Sequence, residues 1–205
     1  MTKPQVLLAY SSHFGSTSEI AQEIADVLRH EEINVDVIDL KSHGEIQTPS
    51  LTNYTGVIIG SSIRMASWAK EVLDFVQSNK KILKGKPLGV FVSSGEASNP
   101  DTYEKAKEKY LYKILDEFQL MGPEVIYEAF GGVFDFSSSS NYSFLEKKIL
   151  QRIAESSSSG FIVNDGKLND FRNWQLIREW GTAFADLINT SEVSEKSQSQ
   201  SVSRV

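Results

Sequence analysis

A short apolar run, Val6-Leu-Leu-Ala-Tyr10, breaks off into Ser11-Ser12-His13-Phe14-Gly15-Ser16-Thr17, and a helical apolar spacing, Ile20, Ile24, Val27, Leu28, starts directly after it. An unbroken apolar run suits a parallel strand covered on both faces. The helix that follows leaves the amide N–H groups of its first turn without partners, and its dipole favours an anion there. The stretch therefore predicts strand, phosphate loop, helix. Hydroxyls at Ser11, Ser12, Ser16 and Thr17 add donors, Gly15 lets the backbone come close, and His13 and Phe14 offer their backbone. A Ser/Thr-rich helix cap would use the same residue types.

Two common phosphate loops are excluded by spacing. A nucleoside-triphosphate P-loop needs Lys after its last Gly, and no Lys lies between Lys3 and Lys41. A dinucleotide fingerprint needs three spaced glycines, and the loop has Gly15 alone. What remains is a hydroxyl-rich loop without a cation, suited to a phosphate monoester held by neutral donors.

Along the chain, strand and helix alternate. A helix over 18–31 is followed by strands over 34–40, 54–60, 86–94 and 124–130, with helices over 68–78 and 101–120 between the later ones. Alternating Asp residues in the second strand predict an edge position. Right-handed crossovers then give an α/β, doubly wound, five-stranded parallel sheet with helices on both faces. After the fifth strand an insertion, about 131–168, carries two Ser runs and an apolar helical face (Tyr142, Leu145, Ile149, Ile153) before the final helix with Leu176, Ile177, Trp180, Phe184 and Leu187. That face is predicted to dock on the sheet, to cover a bound cofactor, or to join two copies in a homo-oligomer. One domain is expected over 1–190, with a disordered polar tail over 191–205.

Composition narrows the chemistry. The formal net charge of −6 and the lack of a basic stripe argue against nucleic acid. With no cysteine there is no thiolate catalysis, disulfide or iron–sulfur ligation. No His, Asp and Glu cluster has metal-ligand spacing. Met1-Thr-Lys-Pro runs straight into the first strand, and no apolar run approaches the roughly 20 residues of a membrane span. The expectation is a cytoplasmic protein with at most peripheral membrane contact.

The Ser11–Thr17 loop resembles the flavodoxin loop that grips the phosphate of FMN. A second loop begins Gly60-Ser61-Ser62-Ile63-Arg64, which follows a Val-Ile-Ile strand and closely resembles the corresponding segment of the menaquinone-dependent protoporphyrinogen IX dehydrogenases of the flavodoxin superfamily. Gly15-Ser16-Thr17-Ser18-Glu19-Ile20-Ala21, Asn53-Tyr54, the place of the insertion and the approach to Trp174 extend the similarity over most of residues 5–188. The third loop, Ser93-Ser94-Gly95-Glu96-Ala97, and the Ser-rich, nearly charge-balanced insertion depart from it.

The resemblance implies the strand order 2-1-3-4-5, with FMN at the carboxyl ends of strands one and three. The second and third loops would flank the isoalloxazine ring, with Met65 and Trp68 either beside it or packed at the start of the following helix. Arg64 is the candidate catalytic residue: an always-charged guanidinium there would stabilise the anionic reduced flavin and raise its potential. A reduced organic donor, porphyrinogen by resemblance, would pass a hydride to flavin N5, and a quinone or other acceptor would take the electrons. Arg64 paired at the surface with Glu71 or Glu96 is the simpler alternative for that residue. Two rival functions follow: a flavodoxin-type carrier shuttling single electrons between protein partners, for which the acidic balance suits docking on basic patches, and a binding module of the same fold without FMN.

Overall fold

The computed structural model describes residues 3–42, 50–137, 147, 148, 164 and 166–202, with 192–202 described by backbone alone. Five strands, β1 (Gln5–Ser11), β2 (Asn34–Asp39), β3 (Gly56–Arg64), β5 (Leu88–Ser94) and β6 (Val125–Gly131), pair in parallel in the order β2-β1-β3-β5-β6. This is the predicted doubly wound sheet, with the Asp-bearing β2 at one edge. A short β4 (Ser67–Trp68) folds back antiparallel onto the end of β3.

The pleat sorts side chains between two cores. Leu7, Ala9, Val57, Ile59, Val90 and Val92 face Val72, Phe75 and Val76 of α2 (Lys70–Leu83) on one side. Val6, Leu8, Ile58 and Phe91 face Ile20, Ile24 and Leu28 of α1 (Ser16–His30) together with Ile177, Trp180 and Phe184 of the final helix on the other. Both faces of β1 are thus buried, which is why its sequence is an unbroken apolar run.

The predicted helix over 101–120 is two α segments, α3 (Tyr103–Lys107) and α4 (Lys113–Glu117), joined by a π turn at Glu108–Tyr112. The final helix, α5 (Trp174–Val202), runs on through the stretch from Ser191 where a disordered tail is predicted. Glu, Lys and Gln, frequent in that stretch, are good helix formers.

At the base of the insertion the structure adds an unpredicted antiparallel ribbon, β7 (Val133–Asp135) with β8 (Leu168–Asp170). Asn169, buried, donates from Nδ2 to the carbonyls of Phe134 and Lys167 at 3.3 and 3.1 Å. Phe134 packs on Phe171 with ring centroids 5.7 Å apart. The ribbon lies tight on the sheet: a Cβ on Gly131 would stand 2.2 Å from the Phe171 carbonyl oxygen. Within the insertion, Lys147 reaches the Ser137 carbonyl at 3.0 Å. Its apolar helical face and second Ser run lie outside the described residues.

Candidate functional site

Register brings the three polar loops together. Ser11 pairs with Ser61, Ser62 with Ser93, and Ser94 with Gly131, so the carboxyl ends of β1, β3 and β5 lie abreast. The chain winds from β1 outward to β2 and then back across to β3, which puts the switch point between the first two loops.

In the first loop Gly15 caps α1 with φ of 94°, a left-handed conformation. A Cβ there would meet nothing within 4 Å, so the position demands glycine for its backbone angle and not for room. The Gly15 N–H donates to Ser12 Oγ at 3.0 Å, and Glu19 N–H donates to the Gly15 carbonyl at 3.1 Å. Thr17 is fully buried, and its hydroxyl has no hydrogen-bond partner among the described residues. A buried hydroxyl left without a partner is costly, and here it sits in the first helical turn, beside donors suited to an anion. Ser16 is half-buried, while His13 and Phe14 are exposed and meet edge-on with ring centroids 4.5 Å apart. The Ser11 hydroxyl turns away from the loop and donates to the Glu71 carboxylate of α2.

What the sequence presents as a second loop is built as a strand. β3 continues through Arg64, a two-residue turn at Met65 and Ala66 follows, and Ser67 and Trp68 return beside Arg64 and Ile63. Both turn residues have positive φ, 49° and 60°, the primed hairpin geometry that glycine usually fills. Met65 stands 87% exposed at the tip. Trp68 is a core anchor, buried, with its indole N–H donating to the Tyr110 carbonyl at 2.7 Å. Ser61, also buried, accepts the Ala69 N–H at 3.0 Å, and its own hydroxyl donates to the Ser62 carbonyl at 3.1 Å.

The third loop is held from within. Ser94 Oγ accepts the Ala97 N–H at 3.1 Å, the Ser98 hydroxyl donates to the Ser94 carbonyl at 3.2 Å, and Ser93 reaches the Gly131 carbonyl at 3.3 Å. Phe134 packs so closely on Gly95 that a Cβ there would meet its ring at 2.7 Å. Glu96 is taken by Lys109 at 3.0 Å.

Between the first two loops lies a cavity of about 220 Å³, with Ser11, His13, Ser62, Arg64, Trp68 and Glu71 among its walls. Arg64 is exposed on the hairpin side, and Glu71 lines the same space. A larger groove of about 430 Å³ runs along α5 and is lined by that helix alone, from Gln175 to Asp186. A single helix face turned to solvent brings no converging groups together, so the smaller cavity at the switch point is the candidate site.

Sequence reading missed Arg172, whose side chain is 6% exposed. It bonds Asp170 at 2.6 Å, Glu19 in the first turn of α1 at 2.7 Å and the Ser16 carbonyl at 3.5 Å, and its guanidinium stacks 4.4 Å over the Trp174 ring. This clamp joins the base of the insertion to the start of α1, and no periodic pattern announces a residue with such long-range partners. Burial pushes the Asp170 carboxyl up, but its bonds to Arg172 outweigh that and hold it below its ordinary value of 3.8. A depressed carboxylate stabilises the fold above its unfolded pKa, and that contribution is lost as pH falls from about 3.8 through the lower folded value. Melting temperature measured from pH 5 to pH 2.5 is expected to fall less steeply in Asp170→Asn than in the wild type, and equal slopes would remove the clamp from the acid response. Tyr54, by contrast, has no acid–base part to play. Burial, and then its bond to Asp36 at 2.8 Å, push its phenol up to about 12.

Fold and register together define an α/β protein with a doubly wound parallel sheet and a hydroxyl-rich loop between the first strand and the first helix. The flavodoxin domain model matches residues 7–160, and the chain belongs to that family. Among curated proteins it is 24% identical over 185 residues to the protoporphyrinogen IX dehydrogenase [quinone] of Leishmania major, covering 90% of this chain and 76% of that one. It is 28% identical over 111 residues to the protein of the same name from Escherichia coli K12, covering 54% of this chain and 60% of the relative. Among solved structures, a WrbA-like flavodoxin from Agrobacterium tumefaciens superposes with TM-score 0.50 at 14% identity, over 92% of this chain and 99% of that one. The flavodiiron core of Flv1 from Synechocystis sp. PCC6803 gives 0.54 at 16% identity, over 92% of this chain and 36% of that one. Among the described residues no helix is long and apolar enough to cross a membrane, and no group of three or more His, Asp or Glu could hold a metal ion.

Proposed function

We propose that the chain is an FMN-dependent oxidoreductase that dehydrogenates a reduced organic donor of the porphyrinogen type and hands the electrons to a quinone-type acceptor. The observation that carries the reading is Arg64, set on a tight hairpin against the cavity beside the phosphate loop. The residues present fit FMN. Thr17 offers a buried hydroxyl with no partner among the described residues, and Gly15 turns the backbone at a helix N-terminus. Ser12, Ser16, Thr17 and the amides of His13, Phe14 and Gly15 would hold the phosphate. Ser61, Ser62, Ile63, Arg64 and Met65 would line one side of the ring, and Ser93, Ser94, Gly95, Glu96 and Ala97 the other.

When bound, FMN supplies hydride acceptance and electron release, which no side chain of this protein can supply. The protein orients and stabilises. Arg64 keeps a fixed positive charge where negative charge grows on reduction. Glu71 accepts the Ser11 hydroxyl and fixes the end of β1 against α2. The same reading places the protein in the cytoplasm, meeting the membrane at most at its surface.

The alternative is a carrier of single electrons between proteins, favoured by the net charge of −6. An anaerobic reductive titration of the FMN-loaded protein, followed by its visible spectrum, separates the two. Direct conversion to the two-electron reduced state is the expected result, and two well-resolved one-electron steps would establish the carrier instead.

A further inference from the structure

We propose that Trp68, seated on the π turn between α3 and α4, is the positioning residue for Arg64. The inference rests on the flavin reading of Arg64 given above. The Arg64-Met65-Ala66-Ser67 turn holds two residues with Cβ atoms at φ of 49° and 60°. Such a conformation persists only where the surroundings over-determine it. The tip supplies no such hold, since Met65 is 87% exposed. The hold comes from below. Trp68, paired with Ile63 across the hairpin, is buried and donates its indole N–H to the Tyr110 carbonyl at 2.7 Å, and the next residue, Ala69, donates its N–H to Ser61 Oγ at 3.0 Å.

The acceptor is unusual. Tyr110 lies inside the π segment, where the Lys113 N–H closes a five-residue step onto the Glu108 carbonyl. A π turn adds one residue to the helix and redirects its carbonyls, a device that accompanies functional sites. In the same turn Lys109 lies 4.7 Å over the Tyr110 ring and pairs with Glu96 of the third loop at 3.0 Å. Both loops that would flank the ring therefore lean on one distorted turn, the Arg64 hairpin through Trp68 and the third loop through Lys109. Trp68 forms part of the cavity wall, and in this arrangement its indole N–H acts by fixing where the guanidinium stands.

The test is a double-mutant cycle on the FMN-loaded full chain, reading the midpoint potential against a reference dye. Trp68→Phe keeps an aromatic ring and removes the N–H. It is expected to move the potential in the direction of Arg64→Ala by part of that variant's shift, changing the ratio of reduced to oxidised flavin affinity by about twofold against about fivefold for Arg64→Ala. In the Arg64→Ala background it should add nothing. An equal shift in both backgrounds, or no shift from Trp68→Phe beside a clear shift from Arg64→Ala, overturns the inference while leaving the flavin reading intact. A wild-type potential in Arg64→Ala overturns both. Should Trp68→Phe not fold, Trp68→Leu also removes the N–H and is judged by the same rule: a shift seen only where Arg64 is present supports the inference, and a shift independent of Arg64 overturns it.

Discussion

Replacing Ser12 and Thr17 together with Ala should weaken FMN by about a hundredfold or more while leaving riboflavin within about threefold of its original affinity. Hydrogen bonds to a charged group are worth about 1.5–3 kcal/mol each, so two lost donors to a phosphate give at least about 3 kcal/mol. Riboflavin has no phosphate and should pass over the change. Thr17 is the cleaner half of the pair. Its buried hydroxyl has no partner among the described residues, so deleting it breaks no hydrogen bond of the ligand-free fold. Ala also removes a buried methyl, so the ligand-free Thr17→Ala protein should melt slightly below the wild type, by about 1 kcal/mol of stability. Ser12 differs because its Oγ accepts the Gly15 N–H at 3.0 Å; a hydroxyl can accept that bond and still donate to a ligand. Flavin fluorescence titrations of both ligands against both proteins measure the ratio. Equal losses for FMN and riboflavin would mean that the phosphate sits elsewhere.

The sheet was legible because its strands are buried on both faces. Runs such as Val57-Ile-Ile59 and Val90-Phe-Val92 have no other reading in a chain that alternates with amphipathic helices. The Asp residues of β2 gave away its edge. The turn from β1 into α1 was equally readable, since hydroxyls around one Gly before a helical spacing are a local signature of a helix start. Loop two was not: Ser61 to Arg64 continue β3, and the turn at Met65 and Ala66 carries neither Gly nor Asn to announce it. Tertiary support replaces turn chemistry there, and support from Tyr110, 42 residues from Trp68 in sequence, leaves no mark on the local pattern. The π turn is silent for the same reason, because Tyr103 to Glu117 read as an ordinary helix. The β7–β8 ribbon hid behind its length, three residues on each strand, with about thirty residues of Ser-rich chain between them. Ser11 was assigned from its place in the loop, yet strand pleat turns its hydroxyl to Glu71.

Replacing Arg64 with Ala should lower the midpoint potential of bound FMN by about 20 mV and slow reduction by a small organic donor by about tenfold. A unit charge about 4 Å from the growing negative charge is worth about 4 kcal/mol at an effective dielectric constant of about 20 and about 1 kcal/mol in water. Arg64 is exposed, so the lower figure applies, and about 1 kcal/mol corresponds to about 20 mV in a two-electron couple. The rate should suffer somewhat more than the potential. Donor binding over the ring excludes water at the moment of transfer, and an enclosed donor to developing negative charge is worth about a hundredfold; a partly open one falls between these limits. Arg64→Lys separates charge from shape, because an ammonium keeps the charge but not the planar, multiply donating fork. If charge alone acts, Lys restores most of the potential. If Arg64 instead serves only to pair with a surface carboxylate, both variants keep the wild-type potential and rate, and the oxidoreductase reading loses the residue it depends on most.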